Sequence, residues 1–271
     1  MNKEKTVSTF LAVMVLAFVC SVLVTGAAVG LRPRQEANRT LDQKKNILRA
    51  AGLYQDKDNG DIETLFQQVE TKIIRLADGS FVPPEELDPA TFHQLRSTLD
   101  NTTSRKLSKE EDKAGLGQQE KFSMVYLVNK GGQLDKVILP IRGKGLWSTM
   151  YGYVALAADL STISGITFYE HGETPGLGGD IANPDWQAGW QGKQLYAPDN
   201  PEGLEGQPVL EIVKGHGTGP YQVDGVSGAT LTMNGVNNLM QFWFGEHGFG
   251  PFLQRYKGIL KKQDPNFQQM P

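Results

Sequence analysis

From Phe10 to Gly30 the chain carries no charged residue, and Leu11 to Val19 is almost wholly apolar. As a helix, a run of that length spans roughly 30 Å, the thickness of a bilayer's hydrocarbon core. The run therefore predicts a single-pass membrane anchor. Lys3 and Lys5 before it, with Thr25-Gly26-Ala27 near its end, also fit a cleaved export signal. A buried core helix is the third reading, although such helices seldom go this long without a charge. Arg32, Arg34, Arg39, Lys44 and Lys45 follow the run, so a plain count of basic residues favours a cytoplasmic domain. An apolar run that begins this close to the N-terminus argues for export instead, and the sequence alone leaves both open. Cys20, the one cysteine, lies inside the run and reads as a buried apolar residue. One cysteine cannot build an intramolecular disulfide, a zinc cluster or an iron-sulfur centre.

The rest of the 271 residues suffices for one large domain or two small ones. A net charge of -3 with no basic stripe argues against nucleic acid as a partner. Gln35 to Leu53 reads as a sparse amphipathic helix stopped at Gly52. Asp61 to Leu76 reads as a second helix, with Ile62, Leu65, Phe66, Val69 and Ile73 at helical spacing. Pro83-Pro84 and the polar stretch from Asn101 to Gln119 read as loops. Strand-like runs follow at Phe122–Val128, Val137–Ile141, Tyr151–Ala157, Ile163–Tyr169 and Val209–Lys214. The first two are joined by the hairpin signal Asn129-Lys130-Gly131-Gly132-Gln133. After Thr232, the set Val236, Leu239, Met240, Trp243 and Phe244 has helical spacing. The fold class predicted is α+β: one N-terminal transmembrane helix, then a largely antiparallel sheet packed with helices.

Chemistry concentrates in Asp224-Gly225-Val226-Ser227-Gly228-Ala229-Thr230-Leu231-Thr232, which runs into that last helix. Small residues keep the backbone N–H groups accessible, and Thr232 is expected at or near the helix N-cap. A helix start with free N–H groups and a positive dipole end seats an anion such as phosphate. A hydroxyl-capped helix after a glycine turn accounts for the same residues without any ligand. A second glycine-rich stretch, Glu170-His171-Gly172-Glu173-Thr174-Pro175-Gly176-Leu177-Gly178-Gly179, lets backbone lie flat against an aromatic ring system. Within it Glu173 and Thr174 can bond polar edges, Leu177 can cover a ring face and Gly178 permits close approach. Its plain alternatives are a turn, or a metal pair at His171 and Glu173 for which no spaced third ligand follows, so no metal site is assigned. Trp147 can stack on such a ring or simply fill core. Lys214, in the loop Lys214-Gly215-His216-Gly217-Thr218-Gly219, can approach a phosphate or stay solvated.

The segment Asp-x-x-Ser-Gly-Ala-Thr-x-Thr resembles the flavinylation motif of FMN-binding domains in respiratory complexes. The loop at 170–179 resembles their flavin-contacting loop, and Arg142-Gly143-Lys144-Gly145-Leu146-Trp147 resembles their sheet-edge loop. Leu31-Arg32-Pro33, Gln35-Glu36-Ala37-Asn38, Leu41-Asp42, Lys45-Asn46-Ile47-Leu48 and Ala51-Gly52-Leu53 look like the C-type subunit of the sodium-translocating NADH:quinone oxidoreductase. The G-type subunit of the ion-motive NADH:ferredoxin complex shares the flavin motif but is typically shorter before it.

The resemblance implies an electron-transfer subunit that relays electrons toward ubiquinone inside a multi-subunit translocase and is inactive alone. It implies one covalent FMN per chain, joined by a phosphoester to Thr232, with Asp224, Ser227, Gly228, Ala229 and Thr230 as the recognition signature. Trp147, Glu173, Thr174, Leu177, Gly178 and Lys214 are the further expected contacts, and no residue is expected to act as a catalyst. The implied organisation is an anchor over 1–31, a helical and linker region over 32–119, the FMN-binding domain over 120–260 and a polar tail over 261–271. Partner subunits, membrane lipid and an FAD-dependent flavin transferase are implied, in a bacterial inner membrane with the domain in the periplasm. No dinucleotide fingerprint opens a βαβ unit, so NADH is not expected to bind here. A flavin-binding scaffold without electron flow, and an exported hydrolase using His171, Glu173 and His216, are the readings from other classes.

Overall fold

The computed structural model describes residues 3–55, 60–197 and 207–263. The polar tail expected over 261–271 falls, from 264 onward, outside the described residues. Two compact units are present, residues 1–44 and 45–271.

Helix α1 (Lys3–Ala50) joins the apolar run and the amphipathic segment after it into one continuous element, with Pro33 inside it. The proline removes one backbone donor but does not end the helix. Among the described residues this is the helix long and apolar enough to cross a membrane, and its apolar window is not buried by the protein. Phe10, Leu11, Leu16 and Phe18 are all exposed, and Cys20 is exposed with them rather than buried. The described residues do not cover this run, so Cys20 is exposed in this chain where burial was expected.

The second unit holds a short helix α2 (Ile62–Phe66), then strands β1 (Val69–Arg75) and β2 (Phe81–Val82). Asp61 caps α2, its carboxylate accepting from the N–H groups of Glu63 and Thr64. The single helix expected over 61–76 is thus corrected to a helix of one turn followed by a strand. Val69 and Ile73 are four apart, a spacing that shares a face in a helix and in a strand alike. β1 pairs along its whole length with β5 (Phe122–Lys130), Val69 opposite Val128 and Arg75 opposite Phe122. The polar region before β5 adds a one-turn α3 (Gln94–Ser97) and the small hairpin of β3 (Ser104–Lys106) and β4 (Gln118–Glu120).

The main sheet runs in the order β2-β1-β5-β6-β7-β8, with β6 (Gln133–Lys144), β7 (Thr149–Ala157) and β8 (Ile163–Glu170), every pairing antiparallel. Gly131 and Gly132 both take positive φ in the β5–β6 turn, as a tight hairpin of that hand requires. Both faces of the sheet are covered, which explains the nearly unbroken apolar strands. On β6, Val137, Leu139 and Ile141 join the cluster of Val236, Leu239 and Met240, while Ile138 joins Ile47, Leu48 and Ala51 on the other face. After β8 come a 3₁₀ turn (Gly178–Ala182), α4 (Pro184–Ala188), the parallel pair β9 (Glu211–Val213) and β10 (Gln222–Asp224), and helices α5 (Thr230–Trp243) and α6 (Gly250–Gln263). Trp243, Phe244 and Phe249 are fully buried at the end of α5 and lock it to the sheet.

Candidate functional site

Three loops meet around the first turn of α5. The strand β6 ends in a tight turn in which Gly145 N–H donates to Ser148 O at 2.7 Å, and this turn presents Leu146 and Trp147. The segment after β8 folds back on itself, with Thr174 O accepting from Leu177 N at 3.1 Å and Gly179 N at 2.8 Å. The chain then enters α5 through Gly228, whose φ of 76° suits glycine. Between these loops lies a cavity of about 150 Å³ lined by Leu146, Trp147, Glu173, Thr174, Leu177, Gly178, Gly228, Ala229, Thr230, Leu231 and Thr232. Its rim is apolar and open: Trp147 is 69% exposed and Leu231 60%, and Leu146 and Leu177 are exposed as well.

Glu173 is the charged group at the floor, 4% exposed. Its carboxylate accepts from Thr232 Oγ1 at 2.6 Å and from the backbone N–H groups of Trp147, Leu146 and Ser148 at 2.9, 3.2 and 3.3 Å. Burial alone would push the acid up. The Thr232 hydroxyl and the three N–H groups outweigh it and hold Glu173 below the ordinary carboxylate value, so it is ionised.

The two motif threonines are placed differently from each other. The N-cap of α5 is Ala229, and Thr230 is the first helical residue, so Thr232 sits inside the first turn rather than at the cap. Two helical steps turn the chain by roughly 200°, which sends the side chains to opposite faces. Thr230 is exposed at the cavity. Thr232 is 1% exposed, its hydroxyl already committed to Glu173. Thr232 thus stands near the N-cap, with its hydroxyl bonded to Glu173. The first intrahelical bond of this end runs from Met233 N to Ala229 O, so the N–H groups before it are the ones a helix N-terminus leaves for an anion.

Asp224 braces the site from outside the cavity. Asp224 accepts from Gly217 N at 2.8 Å and pairs with His216 Nδ1 at 2.7 Å, while its backbone O accepts from Trp186 Nε1 at 2.8 Å. The His216 contact, followed by the Gly217 bond, holds Asp224 below its ordinary value. Asp224 thus ties the 214–219 loop to the motif. Lys214 and Ser227 are exposed and do not line the cavity. Arg142 is buried in a pair with Glu120, with its guanidinium 5.8 Å from the Trp243 ring centre, and supports the sheet instead of facing the cavity. Leu231, absent from the sequence-derived contacts, lines the cavity; its signal was an apolar residue between two threonines at a helix start.

These residues fit the phosphate and ring of FMN. Exposed hydroxyl, helix N-terminus and apolar rim are adjacent, and the backbone at Gly178 lies so close to Thr232 and Glu173 that a Cβ would intrude. His171 and His216 belong to separate hydrogen-bonded groups, His171 Nδ1 accepting from Glu173 N at 3.3 Å, and the Glu173 carboxylate is turned to backbone donors. That arrangement gives the hydrolase reading no assembled site.

Residues 145–245 match the family model of the FMN-binding domain. Over 266 residues the chain is 46% identical to the C-type subunit of the Na(+)-translocating NADH-quinone reductase of Yersinia pestis, covering 96% of this chain and 97% of that one. The protein of the same name from Pseudomonas aeruginosa is 43% identical over 93% of this chain and 96% of its own length. Among solved structures, the crystal structure of Shewanella oneidensis NqrC superposes with a TM-score of 0.73 at 34% identity, over 82% of this chain and 99% of that chain. The C-type protein of the same reductase from Parabacteroides distasonis gives 0.60 at 25% identity, over 82% and 96%.

Proposed function

Since the chain belongs to the NqrC family, the C-type subunits of the Na(+)-translocating NADH-quinone reductase, an oxidoreductase complex, we propose that it relays electrons there through an FMN held covalently by Thr230. The carrying observation is the exposed Thr230 side chain at the mouth of the cavity, on the first residue of α5. In this reading the Thr230 oxygen attacks the FMN phosphorus of FAD. The new phosphoester P–O bond replaces the pyrophosphate bond, AMP leaves, and the hydroxyl proton is given up. A membrane-side flavin transferase provides the catalyst for this step.

When bound, FMN supplies the electron-accepting and electron-donating chemistry. The chain's own residues hold and expose it. N–H groups at the start of α5 would hold the phosphate, and Leu146, Trp147 and Leu177 would offer apolar surface to the ring. The cavity is smaller than the roughly 300–1,000 Å³ of sites that enclose their ligands. A group seated here keeps an open side toward a neighbouring subunit, which suits a relay. The anchor run from Phe10 to Gly30 lies in lipid with partner subunits. Having no charge in that run, it offers sodium no path, and the ion crosses through those partners. The domain stands on the periplasmic side, where the transferase acts.

The two threonines separate in one experiment. On a denaturing gel under ultraviolet light, Thr230→Ala is expected to be dark and Thr230→Ser fluorescent. Thr232→Ala is expected to keep its flavin. A fluorescent Thr230→Ala band beside a dark Thr232→Ala band would refute the assignment.

A further inference from the structure

The Glu173 carboxylate has no lone pair to spare for a ligand. Two ionised oxygens offer about four acceptor sites, and four donors occupy them: Thr232 Oγ1 and the N–H groups of Leu146, Trp147 and Ser148. These donors come from two separate walls of the cavity, the first turn of α5 and the loop after β6. Glycine lines the same carboxylate on both sides. A Cβ at Gly145 would stand 2.6 Å from Glu173 Oε1, and one at Gly178 would stand 3.1 Å from Oε2 and closer still to Thr232 Oγ1.

We propose that Glu173 and Thr232 form a latch that fixes the two walls of the flavin site relative to each other and sets one permanent negative charge beside the bound FMN, lowering its reduction potential. The inference rests on the reading that FMN occupies this cavity. Glu173 is a positioning residue, and the contact with polar flavin edges expected from the sequence gives way to this role. Its ionised state follows from the same four donors, which hold its carboxyl below the ordinary value against the opposing effect of burial.

Reduction adds electrons to the flavin, so a nearby carboxylate disfavours it. A unit charge roughly 10 Å away, at an effective dielectric near 20, biases such an equilibrium by about tenfold. Thr232 takes part through its hydroxyl alone, so serine can replace it and valine cannot.

The test uses the full-length chain in two states. On flavin-loaded protein, the midpoint potential of Glu173→Gln is expected to rise by about 30 mV, the two-electron equivalent of a tenfold change. On flavin-free protein, amide hydrogen exchange at Leu146, Trp147 and Ser148 is expected to quicken in Glu173→Gln and in Thr232→Val, and to return to the wild-type rate in Thr232→Ser. A folded Glu173→Gln with an unchanged midpoint overturns the proposal. Unchanged exchange in Thr232→Val overturns it equally, and this arm decides if Glu173→Gln fails to fold. Wild-type protein that takes up no flavin would refute the FMN reading itself, and the exchange arm would still decide whether the latch exists.

Discussion

At Gly178 there is no room for a side chain, because a Cβ would press on Thr232 Oγ1 and approach Glu173 Oε2 to 3.1 Å. Both neighbours are buried and hydrogen-bonded, so neither can swing away. Gly178→Ala is therefore expected to destabilise the domain by about 1–3 kcal/mol, the usual cost of overpacking, seen as a lower thermal midpoint. An unchanged midpoint would mean that the loop and α5 are less tightly joined than described. The same crowding explains what could be read at this scale and what could not. The resemblance to a flavinylation motif, with small residues running into a helix, narrowed the candidate phosphate site to the nine residues from Asp224 to Thr232. Choosing between Thr230 and Thr232 required knowing which face of α5 packs inward, because two residues apart on a helix point roughly 200° from each other. Ser227, Gly228 and Ala229 suit any of several starting points, so the sequence held no signal for that choice. Glu173 was picked out from the sequence, but its four donors come from a loop and a helix turn 25 to 59 residues away and left no trace in local pattern.

Among the elements, strands β5 to β8 were legible because their nearly unbroken apolar runs and the Gly131-Gly132 turn agree with each other, whereas the three-residue β10 was not. β1 was not, since Val69 and Ile73 satisfy helical and extended spacing equally and only pairing with β5 decides. The polar stretch from Asn101 to Gln119, read as loop, contains β3 and most of β4, whose strands Ser104–Lys106 and Gln118–Glu120 carry no apolar residue to signal them. Glu111 accepts from Ser108 N at 2.9 Å and Arg105 Nη1 at 3.1 Å, in that order of effect, and its carboxyl is held down to about 2. A depressed folded-state value gives stability that is present above the unfolded value and is lost as the pH falls through the folded one. The thermal midpoint of the wild type should therefore decline between pH 4.5 and about 2, and Glu111→Gln should decline less over that window. Parallel curves would remove Glu111 from the acid response.

At the scale of the whole molecule the chain divides into two compact units, residues 1–44 and 45–271, and the second carries the cavity. Family membership assigns it to a multi-subunit complex, while the side of the membrane follows from the proposed site of flavin transfer. Alkaline phosphatase fused after Pro271 should then be active, and a green fluorescent protein fusion exported by the general secretion route should stay dark; the opposite pair of results would place the domain in the cytoplasm. The proposed relay turns on one bond, the phosphoester we assign between FMN and the Thr230 oxygen on the exposed side of α5. Peptide mass spectrometry of the wild-type chain isolated with its transferase reads that bond directly. Fragmentation across Asp224–Thr232 should place the FMN mass on Thr230, and the same mass on Thr232, or on no threonine of the segment, would contradict the account.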